Sequence, residues 1–488
     1  MGTEVIIIGG GLAGLAAASA LADRDVPLTL LESRPRLGGR AASFTDRTTG
    51  LQIDNCQHVS MGCCTNFRKF CNSVGQTSYF RCERQLNFIG PDGTVNPLSA
   101  GLLPAPLHLW SGFRRLSYLS RRDKSGLSRG LRRLARTDPS RWDGQSFADW
   151  LNEQRQTQTA IERFWRVVLV SALSETLDRI DVTSARKVFV DAFLANRQGW
   201  EVQIPTVPLD RLYGLALTDW LERRGASIRL SSGVERIVVE HERAVAVELR
   251  GGLRLAADEF ILAVPYHLAG SLLPDALRGH PQLAGLEKLE SASISSLHLW
   301  FDRPITELPH AVLIDRLGQW MFNRTVLQRE RGGAAPCVIH QPANAGRSPN
   351  ERIEGEQLFN YQIVISASRN LADLSQQQVV DAVVREMTEI WPATADARLM
   401  HQRMVTEHRA VFSVKPGSEQ WRPAQQSPIA NLQFAGDWTR TGWPATMEGA
   451  VRSGYLAAEN VLSHLGSPEK LLAPDLTVAR LSKLLLGL

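Results

Sequence analysis

Six residues near the start of the chain, Gly9-Gly10-Gly11-Leu12-Ala13-Gly14, carry the spacing G-x-G-x-x-G. That spacing suits a pyrophosphate. Gly9 permits a tight turn, Gly11 lets the backbone approach the anion, and Gly14 lets a helix pack closely on a strand. The free N–H groups of a helix opening at Leu12 and Ala13 then face the phosphates. Glu32 lies eighteen residues beyond Gly14, where a carboxylate accepts bonds from both ribose hydroxyls and disfavours a 2′-phosphate. The other reading of Glu32 is a solvated strand end.

A second loop, "ESRPRLGGR", follows Glu32 at once with Arg34, Arg36, Gly38, Gly39 and Arg40. Arg40 offers phosphate a planar fork, and the two glycines allow close backbone contact. A ligand of the NAD type has no need of this loop. A longer ligand with a second ring system beyond the pyrophosphate does, which favours FAD. More than four hundred residues later, "FAGDWTRTGWPATMEGAVRSG" opens another helix rich in small residues. Its N-terminus can hold an anion or stabilise negative charge on an electron-rich ring. Glu448, in the first turn of that helix, reads as a surface acid matched to the helix dipole. No Cys or His lies in this stretch to form a covalent flavin link.

These groups need a scaffold. "EVIIIGG" reads as a buried strand, "LAGLAAASALADRD" as a helix and "LTLLES" as a second strand, the β-α-β opening of a doubly wound parallel sheet. The fold class expected is therefore α/β: a Rossmann-like domain interleaved with an α+β substrate domain. Residues 1–65, 205–275 and 425–465 are expected to form the first, 66–204 and 276–424 the second, and 466–488 a C-terminal tail. The segment 66–204 reads as mostly helical.

At 488 residues the chain has room for two or three domains of ordinary size. Hydrophobic residues at 43% and charged residues at 22% are ordinary globular values, and a net charge of +5 is too small to argue for nucleic acid. Six cysteines are too few for a disulfide scaffold and form no C-x-x-C pair, so reduced thiols and no metal site are expected. The uncharged run Val5 to Ala22 holds four glycines and lacks a basic flank, so it reads as strand-turn-helix rather than a membrane span.

With these motifs in place, the chain resembles the FAD-dependent amine oxidase and carotenoid desaturase superfamily, which carries an E-x-R-x-R-x-G-G-R loop. The resemblance implies that Val234 of "SSGVERIVVE" reaches the adenine. It adds Ser33 to Arg34, Gly38, Gly39 and Arg40 in the cofactor loop. It places Gly436 and Asp437 of "GDW" at the ribityl-pyrophosphate, and Ala445, Thr446 and Met447 at the flavin pyrimidine. "IDNCQHVSMGCC" and "ERFWRVVLVSALSETLDRIDVTSARKVFVDAFL" narrow the resemblance to the squalene-associated FAD-dependent desaturase group, the bacterial hydroxysqualene dehydroxylases of squalene and hopanoid biosynthesis. Cys56 departs from that group's D-N-G-Q-H pattern by replacing its glycine.

The resemblance implies reduction of hydroxysqualene to squalene by hydride from non-covalently bound, reduced FAD. Such chemistry needs a donor at the leaving oxygen and a dry channel for a lipophilic isoprenoid. His58 is the expected donor, with Gln57 and Asp54 orienting it or binding flavin; the bland alternative is a histidine satisfied in the core. Trp443 packs beside the flavin or in the core. Rival functions are desaturation of a phytoene-type carotenoid, amine oxidation, and flavin binding without catalysis. The electron donor is unknown from sequence. A lipid-soluble substrate implies a cytoplasmic protein peripheral on the inner face of the cytoplasmic membrane. Two segments are candidates for that contact. One is "GLLPAPLHLW" with the basic stretch Arg114 to Arg136, which holds nine Lys/Arg and one acid. The other is the tail, where Leu481, Leu484, Leu485 and Leu488 recur at helical spacing. Burial is the alternative for each.

Overall fold

The computed structural model describes residues 4–48, 50–142, 144–329 and 358–488. Its first sheet has five strands. They are β1 (Val5–Ile8), β2 (Leu28–Leu31), β3 (Ser227–Arg229), β4 (Glu259–Leu262) and β5 (Leu432–Phe434), in the spatial order β3-β2-β1-β4-β5. Every neighbouring pair is parallel. Strands from both ends and the middle of the chain thus share one sheet, as a doubly wound fold requires.

Helix α1 (Leu12–Ala22) runs from β1 and is buried along its whole length. Its alanine run follows from that burial, because a helix covered on all sides has no polar face. Helix α2 (Met447–His464) follows β5 and packs on α1. A Cβ on Gly454 would stand 2.2 Å from the Ala13 carbonyl oxygen, so only glycine lets the two helices approach this closely. The first turn of α2 therefore begins about two helical turns, ~10 Å, from the first turn of α1.

A second, seven-stranded sheet is built from Leu399–Phe412, Ser291–Phe301, Phe359–Ser366, Trp320–Asn323, His310–Leu313, Gln85–Ile89 and Val95–Ser99, in that spatial order. The segment 66–204 is mostly helical, as expected, but it also carries short strands that the sequence reading did not foresee. Gln85–Ile89 and Val95–Ser99 form a hairpin in this sheet, and Phe80–Glu83 pairs with Val202–Pro205. These strands have five residues or fewer, too short for a clear period, and "GPDGT" between the hairpin strands is its turn signal. The rest of 66–204 consists of helices and their connections, joined by an aromatic cluster. Trp165 meets Phe189 edge-on at 4.7 Å, and Phe147 stacks on Trp150 at 5.2 Å.

The tail ends in a short helix, Arg480–Leu486, docked on the protein. Ser482 Oγ donates to the Leu194 carbonyl at 2.7 Å, and Arg136 Nη2 donates to the Leu485 carbonyl at 2.8 Å. Leu486 is buried and Leu484 is exposed. No helix among the described residues is long and apolar enough to cross a membrane.

Candidate active site

The glycine turn between β1 and α1 is held by its own backbone. Gly9 has φ of +110°, and a Cβ on Gly14 would lie 2.0 Å from the Gly9 carbonyl oxygen. No side chain caps α1, so Leu12 and Ala13, both buried, begin a helix whose first N–H groups remain for an anion. The second glycine loop folds back onto this turn. Gly38 N donates to the Gly10 carbonyl at 2.8 Å, Gly11 bridges Gly38, and a Cβ on Gly39 would stand 3.1 Å from the Gly11 Cα. Two bare backbones thus form one cradle.

Glu32 is buried at the end of β2, not solvated. Its Oε2 accepts from Gly10 N at 2.8 Å, and its Oε1 accepts from Arg34 N at 2.8 Å and Ser33 Oγ at 3.1 Å. The carboxylate is therefore fixed against the glycine turn. Ser232 N donates to the Glu32 carbonyl, which brings buried Val234 to the same end. Arg34 Nη1 reaches the Gly39 carbonyl at 3.5 Å, and Arg36 Nε is buried without a hydrogen-bond partner among the described residues.

At the other end Arg40 Nη2 donates to Asp437 Oδ1 at 2.7 Å. Burial alone would lower the basicity of this guanidinium, but Asp437 more than restores it, and Arg40 is held above its ordinary range. Gly436 N donates to Ser453 Oγ of α2 at 2.7 Å, and Thr446 caps α2 by accepting from Gly449 N at 3.1 Å. Buried Ala445 precedes the cap, and the N–H of Met447 begins the helix. A bare-backbone cradle, an orphaned Arg36 nitrogen and two helix N-termini suit a long anionic dinucleotide. When bound, a flavin would supply two-electron redox chemistry between these ends.

Glu448 is corrected. It is fully buried, not a surface acid. Its carboxylate accepts from the backbone N–H of Asn66 and Phe67 and from Arg452 Nε at 2.7 Å, so it clamps α2 to the helix Thr65–Ser73.

The loop after Gln52–Asp54 holds Asn55, Cys56, Gln57 and His58 beside Arg40, whose carbonyl accepts from Asn55 Nδ2. Asp54 Oδ1 accepts from Ser43 Oγ at 2.6 Å and Leu209 N at 2.9 Å. Sequence reasoning missed the group that joins Asp54 to Gln57. Arg324, buried in the second sheet's domain, donates to Gln57 Oε1 at 2.7 Å and faces Asp54 Oδ2 at 3.4 Å. Burial lowers its basicity and Asp54 opposes that. His298 Nε2 donates to the Asp54 carbonyl at 2.9 Å, and burial pushes this imidazole down to about 4. Cys56 is not among the residues with positive φ, so replacing a glycine here costs no backbone strain, while burial pushes its thiol up to about 12.

His58 Nδ1 bonds the Cys56 carbonyl at 3.0 Å, which fixes the proton of the neutral ring on Nδ1 and leaves Nε2 as an acceptor. Burial lowers this imidazole below its ordinary range, partly offset by the Cys56 bond. As found, His58 donates from Nε2 only when protonated. It is oriented by Cys56 rather than by the side chains of Asp54 or Gln57.

An apolar cavity of about 710 Å³ lies between helices of 66–204, the second sheet and the start of α2. Val59, Leu109, Phe164, Val168 and Trp320 line it, and it reaches Trp443, Thr446, Met447 and Glu448 at the start of α2. His58 does not line it, although Val59 and Ser60 do. Trp443 is buried between two cations, with Lys187 Nζ 4.3 Å and Arg452 Cζ 5.0 Å from its ring centroid. Lys187 is the second group the sequence reading missed; it lies inside "TSARKVFVDAFL" but carries no motif signal.

A doubly wound sheet with a two-ended dinucleotide cradle, opening onto an apolar cavity, defines a cofactor-dependent oxidoreductase of the α/β class. The chain belongs to the family of flavin containing amine oxidoreductases, whose sequence profile matches residues 12–462. It is 29% identical over 473 residues to a hydroxysqualene dehydroxylase of Sinorhizobium fredii, covering 95% of this chain and 99% of that one. It is 26% identical over 478 residues to a 15-cis-phytoene desaturase of Solanum lycopersicum, covering 94% and 77%. Its fold matches the crystal structure of an oxidoreductase from Methanosarcina mazei with a TM-score of 0.69 at 16% identity, covering 94% and 100%.

Proposed function

We propose that the chain binds FAD without a covalent link and reduces hydroxysqualene to squalene, in squalene and hopanoid biosynthesis. The observation that carries this reading is the apolar cavity of about 710 Å³ that ends at the first turn of α2. Its walls exclude water from a developing allylic cation, and the N-terminus of α2 favours negative charge on the reduced ring. Arg40 and Asp437 hold the pyrophosphate and ribityl region. The loop carrying Asp54, Gln57 and His58 lies on the flavin side, and it meets the cavity through Val59 and Ser60 rather than through His58. The similarity to the Sinorhizobium fredii hydroxysqualene dehydroxylase supports the reading along nearly the whole chain. A second reading, hydride removal from a carotenoid-type polyene, draws on the similarity to the Solanum lycopersicum desaturase.

One anaerobic experiment separates the readings. The flavin is photoreduced, and hydroxysqualene, phytoene and amines are offered in turn. Flavin reoxidation with squalene formed only from hydroxysqualene supports the proposal. Reduction of the oxidised flavin by phytoene or an amine would replace it. Denaturation should release all the yellow colour from the chain, and retained colour would mean a covalent link.

The same substrate calls for peripheral docking on the cytoplasmic membrane. Leu102 is fully exposed, and Leu103, Leu107 and Trp110 are exposed residues that also line the cavity. The helix Arg121–Arg136 follows and exposes Arg121, Arg122, Arg129, Arg132, Arg133 and Arg136. Apolar side chains at a cavity mouth beside exposed arginines suit an anionic bilayer. Sedimentation with anionic liposomes should exceed that with neutral ones, weaken with salt, and fall on charge reversal at Arg121, Arg122, Arg132 and Arg133. No binding to either liposome removes this part of the proposal.

A further inference from the structure

The cavity wall contains one charge pair that the reading so far leaves idle. Lys187 ends the helix Val182–Lys187, and Asp191 stands one turn on. Lys187 Nζ donates to Asp191 Oδ2 at 2.7 Å. A pair four residues apart on a helix ordinarily lies on a solvated face. Here both residues line the apolar cavity, with side-chain exposures of only 22% and 30%. Removing a charge pair from water has a cost that its mutual attraction does not always repay, so a charge retained on such a wall suggests a polar ligand group.

A second observation points to the same place. Trp443, whose ring lies under Lys187, is 7% exposed, lines the cavity, and has an indole N–H with no hydrogen-bond partner among the described residues. A buried donor left unmade is costly. The ammonium of Lys187 has three N–H groups; Asp191 takes one and the indole face accepts the cation. Three other polar groups of the wall are engaged elsewhere. Glu448 is clamped by Asn66, Phe67 and Arg452. Ser171 accepts from Trp320, and Arg163 pairs with Asp315. Ser60 Oγ is the remaining buried group of the wall without a partner.

We infer that Lys187 and Trp443 form a hydrogen-bond donor site that selects a long apolar chain bearing a hydroxyl over the corresponding hydrocarbon. The inference rests on the reading of the cavity as the substrate site. A hydroxyl oxygen accepts from Nζ and from the indole N–H and satisfies both. A hydrocarbon fills the same walls but leaves both donors unpaired, and sites with unpaired buried donors reject the ligand that lacks the acceptor. Asp191 tethers the ammonium over the indole, so it is a positioning residue.

The test is isothermal titration of the flavin-loaded protein, in mild detergent, with a C15 isoprenoid alcohol and with its parent hydrocarbon. The wild type should prefer the alcohol by roughly 10–100-fold, the range for a hydrogen bond from a charged donor. Lys187→Met should abolish most of that preference, weakening the alcohol and relieving the rejection of the hydrocarbon. Trp443→Phe keeps the ring and removes the N–H, so it should lower the preference by a smaller factor. It also carries the test if Lys187→Met does not fold. An unchanged preference in folded, flavin-loaded variants overturns the inference and makes the pair a brace for Trp443. Failure of the wild type to bind either ligand overturns the reading of the cavity itself.

Discussion

The two ends of the site are made of different material. The nucleotide end is mostly backbone: a glycine turn, a second glycine loop laid against it, and the free end of α1, with Glu32 fixed by neighbours two and twenty-two residues away. The other end is mostly side chains from distant parts of the chain, with Lys187 over Trp443 on the cavity wall and, off that wall, Arg324 between Asp54 and Gln57. The first end tolerates almost no added atom. The second depends on charge partners.

That contrast can be broken most severely at Gly14. A Cβ there meets a backbone oxygen that cannot move aside, so Gly14→Val should yield protein without bound flavin, read as loss of the visible flavin absorbance on purification. Gly126 is the control. It lies on the helix Arg121–Arg136, where a Cβ would have 3.9 Å to its nearest neighbour, Gln156 Oε1. Gly126→Ala should keep the flavin and gain about 0.5–1 kcal/mol from helix propensity.

Arg324→Met sharpens the contrast from the other side. It leaves Asp54 buried without its guanidinium, and breaking a buried pair in this way typically costs about 3–5 kcal/mol. The urea midpoint should fall while the nucleotide cradle keeps its flavin. A variant that loses flavin and stability together would show that the two ends are one cooperative unit.

A graded effect comes with pH. His108 and His298 are buried, and burial lowers each to about 4; for His108 the Arg197 cation adds to this. The unfolded chain binds protons at these imidazoles near pH 6.5 and the folded chain does not. Stability is therefore complete above about pH 6.5 and lost as pH falls towards 4, by up to about 2 kcal/mol per histidine at pH 5. His298→Asn should flatten the fall in urea midpoint between pH 7 and pH 5, whereas an equally steep fall would assign it to other groups.

The nucleotide end was legible because its constraints are local. Gly9, Gly11 and Gly14 answer to the geometry of one turn, and Glu32 to the length of one β-α-β unit, so spacing alone reports them. The parallel sheet followed for the same reason, from apolar runs of strand length. Glu448 was misread because its position in a first turn predicts a solvated acid, and only the packing of Asn66 and Phe67 against α2 buries it. The hairpin at 85–99 escaped because its five-residue strands are too short to show a period.

By itself the sequence singled out a glycine turn, an acid and a second helix end as the parts of one expected dinucleotide site. Tertiary structure decided which side chains from distant parts of the chain meet. Arg324 meets Asp54 across 270 residues of chain, and Lys187 lies over the ring of Trp443 from a distant part of the chain. Neither contact follows from local spacing, because a side chain's partner across such a separation is chosen by how whole sheets and helices pack.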